Sequence, residues 1–356
     1  MSGWRQGWMY VLCLSFFPAF ARQNGATGAA NRLITLDVVV ANKSGKAISG
    51  LQQQDFTLLD NKQPQQIASF RAVESAAAAD PPVEVVLLLD EVNTSFQNVS
   101  IERQQVEKFL GQNGGQLAQP VSLIFFSDSG ATVGTTASRD GKTLITELKQ
   151  SRSGLRTIGK SQGFYGAGDR VQLSLSTLEQ LAAYEEPRPG RKLVVWISPG
   201  WPLLSGPRIE LTTKQQEGFF NSIVRLSDLL RRSRITLYDV DPLGTADAGG
   251  LRTSYYEEFL KGVTAARNVQ LGNLGLQVLA SQSGGRVLNS NNDIAGEIAE
   301  CIADANAYYI LTFEGLPGDG PNDYHALKVE VDKHGLTART RAGYYAQPEH
   351  ARAPGS

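Results

Sequence analysis

Apolar residues run without a break from Val85 to Leu89 and end on Asp90. A short, β-branched-rich run of this kind predicts a strand buried on both faces, as in parallel sheets; a buried helix would need about twice the length. Asp90 then falls at the carboxyl end of that strand, the edge at which open α/β sheets bind ligands. Downstream the pattern alternates between strand and helix. Helices are predicted over Val99–Leu110, Asp140–Leu148, Val171–Tyr184, Thr213–Arg232 and Leu274–Ser283. Strands are predicted over Val121–Phe126, Ala131–Thr135 at an edge, Lys192–Ile197, Ile235–Val240 and Arg286–Leu288. This rhythm predicts a doubly wound, mostly parallel α/β domain over 83–303.

The flanks read differently. Leu33–Val40, Asp55–Asp60 and Gln66–Val73 are short strands with turn signals and no helix between them. Strand patterns return at Ala307–Phe313, His325–Val331 and Leu336–Tyr345. The expected organisation is an N-terminal β segment (33–75) and a C-terminal one (304–346) that join as one small β-sandwich, with the α/β domain inserted between them. Ser75–Pro82 is a linker and 347–356 a tail.

The first residues look like a targeting segment. Arg5 precedes an apolar core from Trp8 to Phe20, and Ala19-Phe20-Ala21 is a small-x-small cleavage site. The core is shorter than the ~20 residues that span a bilayer. The expectation is a signal peptide over 1–21, a linker over 22–32 and a secreted or periplasmic product with no transmembrane helix. Cleavage would remove Cys13 and leave Cys301, on an apolar helical face, as a small buried hydrophobe. Over 356 residues the hydrophobic fraction is 41%, the charged fraction 19% and the net charge −1. That composition is globular, and it gives no reason to expect nucleic acid as a partner.

Several stretches, in order, resemble the von Willebrand factor type A domains, in the exported branch often labelled acidobacterial. They are Leu87-Leu88-Leu89-Asp90 with Asn93-Thr94, Pro189–Pro202, Ile235–Pro242, Leu279–Arg286 and Thr340–Tyr345, with Gly50-Leu51 and Asp55-Phe56-Thr57 ahead of them. The resemblance implies a Rossmann-like fold and a metal-dependent adhesion site at the top of the sheet, where Mg²⁺ is completed by an acidic group of a partner. The first loop of such sites is usually Asp-x-Ser-x-Ser; here the positions are Asp90, Val92 and Thr94. The second-loop region, Gly163 to Arg170, has no threonine, and its best ligand is Asp169. The third loop, usually Ser-Asp-Gly, is Ser198-Pro199-Gly200. Asp90, Thr94, Asp169 and Ser198 are therefore the candidate ligands of a degenerate, weakly held Mg²⁺. The alternative is a metal-free site in which Asp90 caps loop amides.

For binding, Asp90, Asn93 and Trp201 are the candidate contacts with a protein partner in the envelope or outside the cell. Trp201 either forms an exposed contact surface or packs beneath the following loop. A competing reading comes from Gly159-Lys160-Ser161-Gln162-Gly163, which matches Gly-x-Ser-x-Gly, with His325 and Asp241 as triad partners. Its glycine-rich flanks lack the strand and helix that a hydrolase elbow needs. The function expected from sequence is thus a non-enzymatic, adhesion-type binding module without a cofactor or with weakly bound Mg²⁺, the alternatives being a Ser161 hydrolase or a working Mg²⁺ site.

Overall fold

A computed structural model describes residues 32–75, 79–151, 163–201, 211–242, 256–289 and 291–349. The segment 1–21, Ser161 and the loop after Trp201 lie outside them. The protein is a mixed α/β structure with one mostly parallel sheet and two antiparallel ones.

The central sheet has seven strands: β5 (Glu84–Asp90), β6 (Gln116–Ser127), β7 (Gly130–Ala131), β8 (Ser138–Asp140), β9 (Lys192–Ile197), β10 (Ile235–Val240) and β11 (Val287–Leu288). Their order is β11-β10-β9-β5-β6-β7, with β8 also pairing with β6. β5, β6, β9, β10 and β11 are parallel. After β5 the chain steps to β6 on one side and then to β9, β10 and β11 on the other. Asp90 therefore ends the strand at which the order reverses, where the crevice of an open α/β sheet lies.

Among the described residues, six α-helices cover the sheet: α1 (Phe96–Leu110), α2 (Gly141–Gln150), α3 (Gly163–Glu185), α4 (Thr213–Arg232), α5 (Leu276–Gln282) and α6 (Ile294–Ala303). On one face Val85, Leu87 and Leu89 pack with Val106 and Leu110 of α1, Leu144 of α2 and Ile298 of α6. On the other, Val86 and Leu88 pack with Leu178 of α3, Leu226 of α4 and Leu279 of α5. The period of two in β5 thus feeds two cores, which is why its pattern is apolar throughout. α1 begins cleanly because the Ser95 hydroxyl accepts the Asn98 N–H.

Two four-stranded sheets make the second unit. They contain β1 (Leu33–Asn42), β2 (Phe56–Asp60), β3 (Gln63–Gln65), β4 (Ile67–Val73), β12 (Tyr308–Glu314), β13 (Asp323–Val331), β14 (Leu336–Arg339) and β15 (Gly343–Ala346), in the orders β14-β1-β12-β4 and β15-β13-β2-β3. Each sheet takes two strands from either end of the chain, and Leu36, Val38, Leu58, Leu311, Phe313 and Val329 share one core. Neither segment alone has the strands to bury that core. Removing 33–73 should therefore strip amide protection from β12 and β13, measurable by hydrogen exchange; unchanged protection there would refute interdependent folding.

The structure departs from the predicted elements in three places. Gly163 to Arg170 is not a loop but the start of α3, whose apolar stripe further on anchors it despite its glycines. Leu336–Tyr345 is not one strand: Thr340–Ala342 crosses between sheets, held by Thr340 Oγ1 donating to the Asp37 carbonyl (2.9 Å) and Ala342 N–H to the Gln282 carbonyl (2.9 Å). The 131–135 edge strand shrinks to β7, and a separate β8 follows.

The two units meet at the amino-terminal edges of β9 and β10. Arg234 pairs with Asp37 of β1. Arg191 donates to the Asp304 carbonyl (2.9 Å) and lies over the Tyr308 ring. The Asp304 carboxylate accepts from Tyr238 Oη (2.7 Å) and pairs with Arg339 of β14. Asp304→Ala should thus destabilise both units by about 2 kcal/mol, because it leaves the buried Tyr238 hydroxyl without its acceptor and takes the carboxylate from half-buried Arg339. Denaturation followed by fluorescence and by far-UV dichroism should shift together; an unchanged midpoint would contradict this role.

Candidate functional site

The sandwich attaches at the end of the sheet opposite Asp90. At the carboxyl edge, Asp90 is wholly buried. Its Oδ1 accepts the backbone N–H groups of Val92 (2.9 Å) and Asn93 (2.8 Å). Its Oδ2 accepts from Asn93 Nδ2 (2.8 Å), the Trp196 indole Nε1 (3.0 Å) and the Ser198 hydroxyl (2.8 Å). Asn93 Nδ2 also reaches Ser174 Oγ of α3 (3.0 Å), and Ser198 Oγ accepts the Gly200 N–H (3.0 Å). A carboxylate offers about four lone-pair positions; five donors converge here. Asp90 thereby ties the β5 loop to the β9 loop, and Asn93 extends the link to α3.

Gly200 suits the tight turn. Its φ is +81°, and a Cβ there would lie 2.4 Å from Gln277 Nε2. The turn carries Trp201 back into the molecule. Trp201 is 3% exposed, donates from its indole to the Leu274 carbonyl (2.7 Å) and meets Trp196 edge to face at 5.3 Å.

Further acids lie around this edge. Glu102 of α1 accepts the Asp90 N–H (3.1 Å), and burial followed by the Asp90 charge pushes its carboxyl well above the usual range. Asp239, at the end of β10, is raised by burial and then by Asp241. Gln277 lies near enough to favour its charge, yet neither oxygen has a partner in hydrogen-bonding geometry. Glu297 of α6 is pushed up to about 7, chiefly by burial and next by Glu300. Thr94 Oγ1 and Asn93 Oδ1 are also buried without a hydrogen-bond partner. Among the described residues, no group of three or more His, Cys, Asp or Glu side chains is placed to hold a metal ion.

The chain matches no known family profile and no curated protein. Among solved structures, it is similar to an aerotolerance-related membrane protein from Bacteroides fragilis NCTC 9343 with multiple mutations to serines. That similarity is 15% identity over 62% of this chain and 98% of the other, with a TM-score of 0.34. So loose an overlap leaves the fold resting on strand order and register. Among the described residues, no helix is long and apolar enough to cross a membrane.

The sequence-predicted residues divide. Asp90, Asn93 and Ser198 are brought together, and Thr94 is buried on the same loop. Asp169 is exposed on α3 and, among the described residues, is not seen to join them. Trp201 is corrected: it packs beneath the edge and offers no exposed ring, because the turn at Gly200 folds it against Trp196. Asp90 and Asn93, at 0% and 4% exposure, likewise offer a partner almost no surface. The triad of the hydrolase reading is also corrected at its histidine. His325 sits in the sandwich with Nδ1 2.9 Å from Asp60 Oδ1, and Asp60 Oδ2 accepts from Tyr344 Oη (2.6 Å). Asp241 lies at the end of β10 instead. Sequence reasoning missed Trp196, Ser174, Glu102 and Asp239. Trp196 could have been found: it sits two residues before Ser198, and the period of two at the end of β9 aims both toward the same side.

Proposed function

We propose that the protein is an exported, non-enzymatic binding module of the von Willebrand factor type A kind, which engages a protein partner through the loops at the carboxyl edge of its sheet. The observation that carries this reading is the Asp90 network, which fixes the β5 and β9 loops at the topological switch point while the sandwich occupies the opposite edge. Rigid loops on a scaffold bind with little ordering cost. Export rests on the sequence pattern of residues 5–21.

With Trp201 buried, contact falls to exposed residues around the edge, such as Gln97 at the start of α1 and Ser129 in the β6–β7 turn. Partner binding needs no Mg²⁺. The test immobilises the full mature chain, presents the native envelope fraction with and without EDTA, and compares Gln97→Arg and Ser129→Arg with Lys328→Glu on the sandwich. Retention should fall at least tenfold for the loop-edge variants only, and EDTA should not change it. A screen of ester, peptide and glycoside probes should show no turnover; turnover abolished by Ser161→Ala would overturn the non-enzymatic reading.

A further inference from the structure

The resemblance implies a hard cation against Asp90, and the residues present do not fit one. Mg²⁺ takes oxygen ligands in a near-octahedral shell. Around Asp90 the approaching groups are N–H and O–H donors, whose hydrogens carry positive charge toward the same oxygens a cation would need. An indole N–H is a donor only. Val92 puts an apolar side chain at a ligand position, and Pro199 takes the place of a carboxylate. Thr94 Oγ1 and Asn93 Oδ1 have lone pairs to spare, but both are neutral. Glu102 is engaged from the other side, its Oε1 accepting the Asp90 backbone N–H (3.1 Å).

We propose that the Trp196 indole and the Ser198 hydroxyl stand where the cation would act, binding the Asp90 carboxylate from β9 and holding the loop edge in one ion-independent arrangement. In a metal-dependent site the ion draws loops from separate strands onto one centre. Here the link comes from β9 and the residue that directly follows it, Trp196 near the end of the strand and Ser198 at the start of its loop. The ring of Trp196 is anchored in turn against Phe126 (5.7 Å) and Trp201 (5.3 Å). The inference deepens the proposed function by making the binding edge insensitive to divalent ions, and it rests on that reading only for what the edge is used for.

The test is a Mn²⁺ titration of the full chain followed in an ¹H–¹⁵N spectrum, with the Trp196 indole resonance assigned by Trp196→Phe. The expected result is an indole signal that exchanges slowly with solvent and is not broadened by stoichiometric Mn²⁺, together with a melting temperature unmoved by MgCl₂ or EDTA. Asp90→Asn should shift that resonance and lower the melting temperature. Broadening of the Trp196 signal by stoichiometric Mn²⁺, or a melting temperature raised by MgCl₂ and lowered by EDTA, would overturn the proposal. Should Asp90→Asn fail to fold, the wild-type titration decides alone. No partner enters these measurements, so their failure and that of the binding reading are distinguishable.

Discussion

Asp90→Ala is expected to cost about 4 kcal/mol of stability or more, the largest effect of any substitution at the loop edge. The change removes the common acceptor of two backbone N–H groups, an amide, an indole and a hydroxyl, all beneath the surface. A buried donor left without its acceptor costs roughly 1–3 kcal/mol, and relaxation of the loops recovers part of the sum. Against a total stability of about 5–15 kcal/mol, the variant should unfold at much lower denaturant. Asp90→Asn should cost less, because its carbonyl oxygen keeps some acceptor capacity. A denaturation midpoint within error of wild type for Asp90→Ala would remove Asp90 from the centre of the site. Trp201→Ala should lower stability, since it empties a buried space and frees the Leu274 carbonyl.

How far the sequence reveals this site depends on the residue. Asp90 is legible because a both-faces-buried strand has only one pattern, and its polar terminus marks the edge. Asn93 and Ser198 follow from their place on the first and third loops. Trp201 is not legible: hydrophobicity places it after a loop but cannot say whether Gly200 turns it outward or back. The start of α3 was hidden by three glycines, Gly163, Gly166 and Gly168, whose low helix propensity is outweighed by packing further along the helix. The composite sheets rest on pairings such as Leu33 with Glu314, which no local signal specifies. Asp239 is not legible because it sits inside the wholly buried strand Ile235–Val240, where the flanking pattern gives no sign that a carboxyl is enclosed.

Those buried acids give the second large effect. Glu102, Asp239 and Glu297 hold their protons in the folded protein at pH values where the unfolded chain has released them. Above the ordinary carboxylate range the native state therefore binds more protons than the unfolded one, and stability falls as pH rises. For Glu297 the loss runs from about 4.5 through about 7. Asp55, Asp140 and Asp293 act oppositely, because hydrogen bonds lower them; their contribution is lost only as pH falls below the usual carboxylate range. The melting temperature should thus be higher near pH 5 than near pH 8, and Asp239→Asn with Glu297→Gln should flatten the difference. A melting temperature that climbs from pH 5 to pH 8 in the wild type would contradict the assignment of these groups as native-state acids.

The most direct measurement of the functional claim is site-specific photo-crosslinking in the native envelope fraction. A photoreactive residue placed at Gln97 or at Ser129 should capture the same partner, with or without EDTA, while one placed at Lys328 on the sandwich captures none. Capture from Lys328 alone, or capture from Gln97 and Ser129 that disappears when divalent ions are removed, would contradict a binding edge set by Asp90 without a metal.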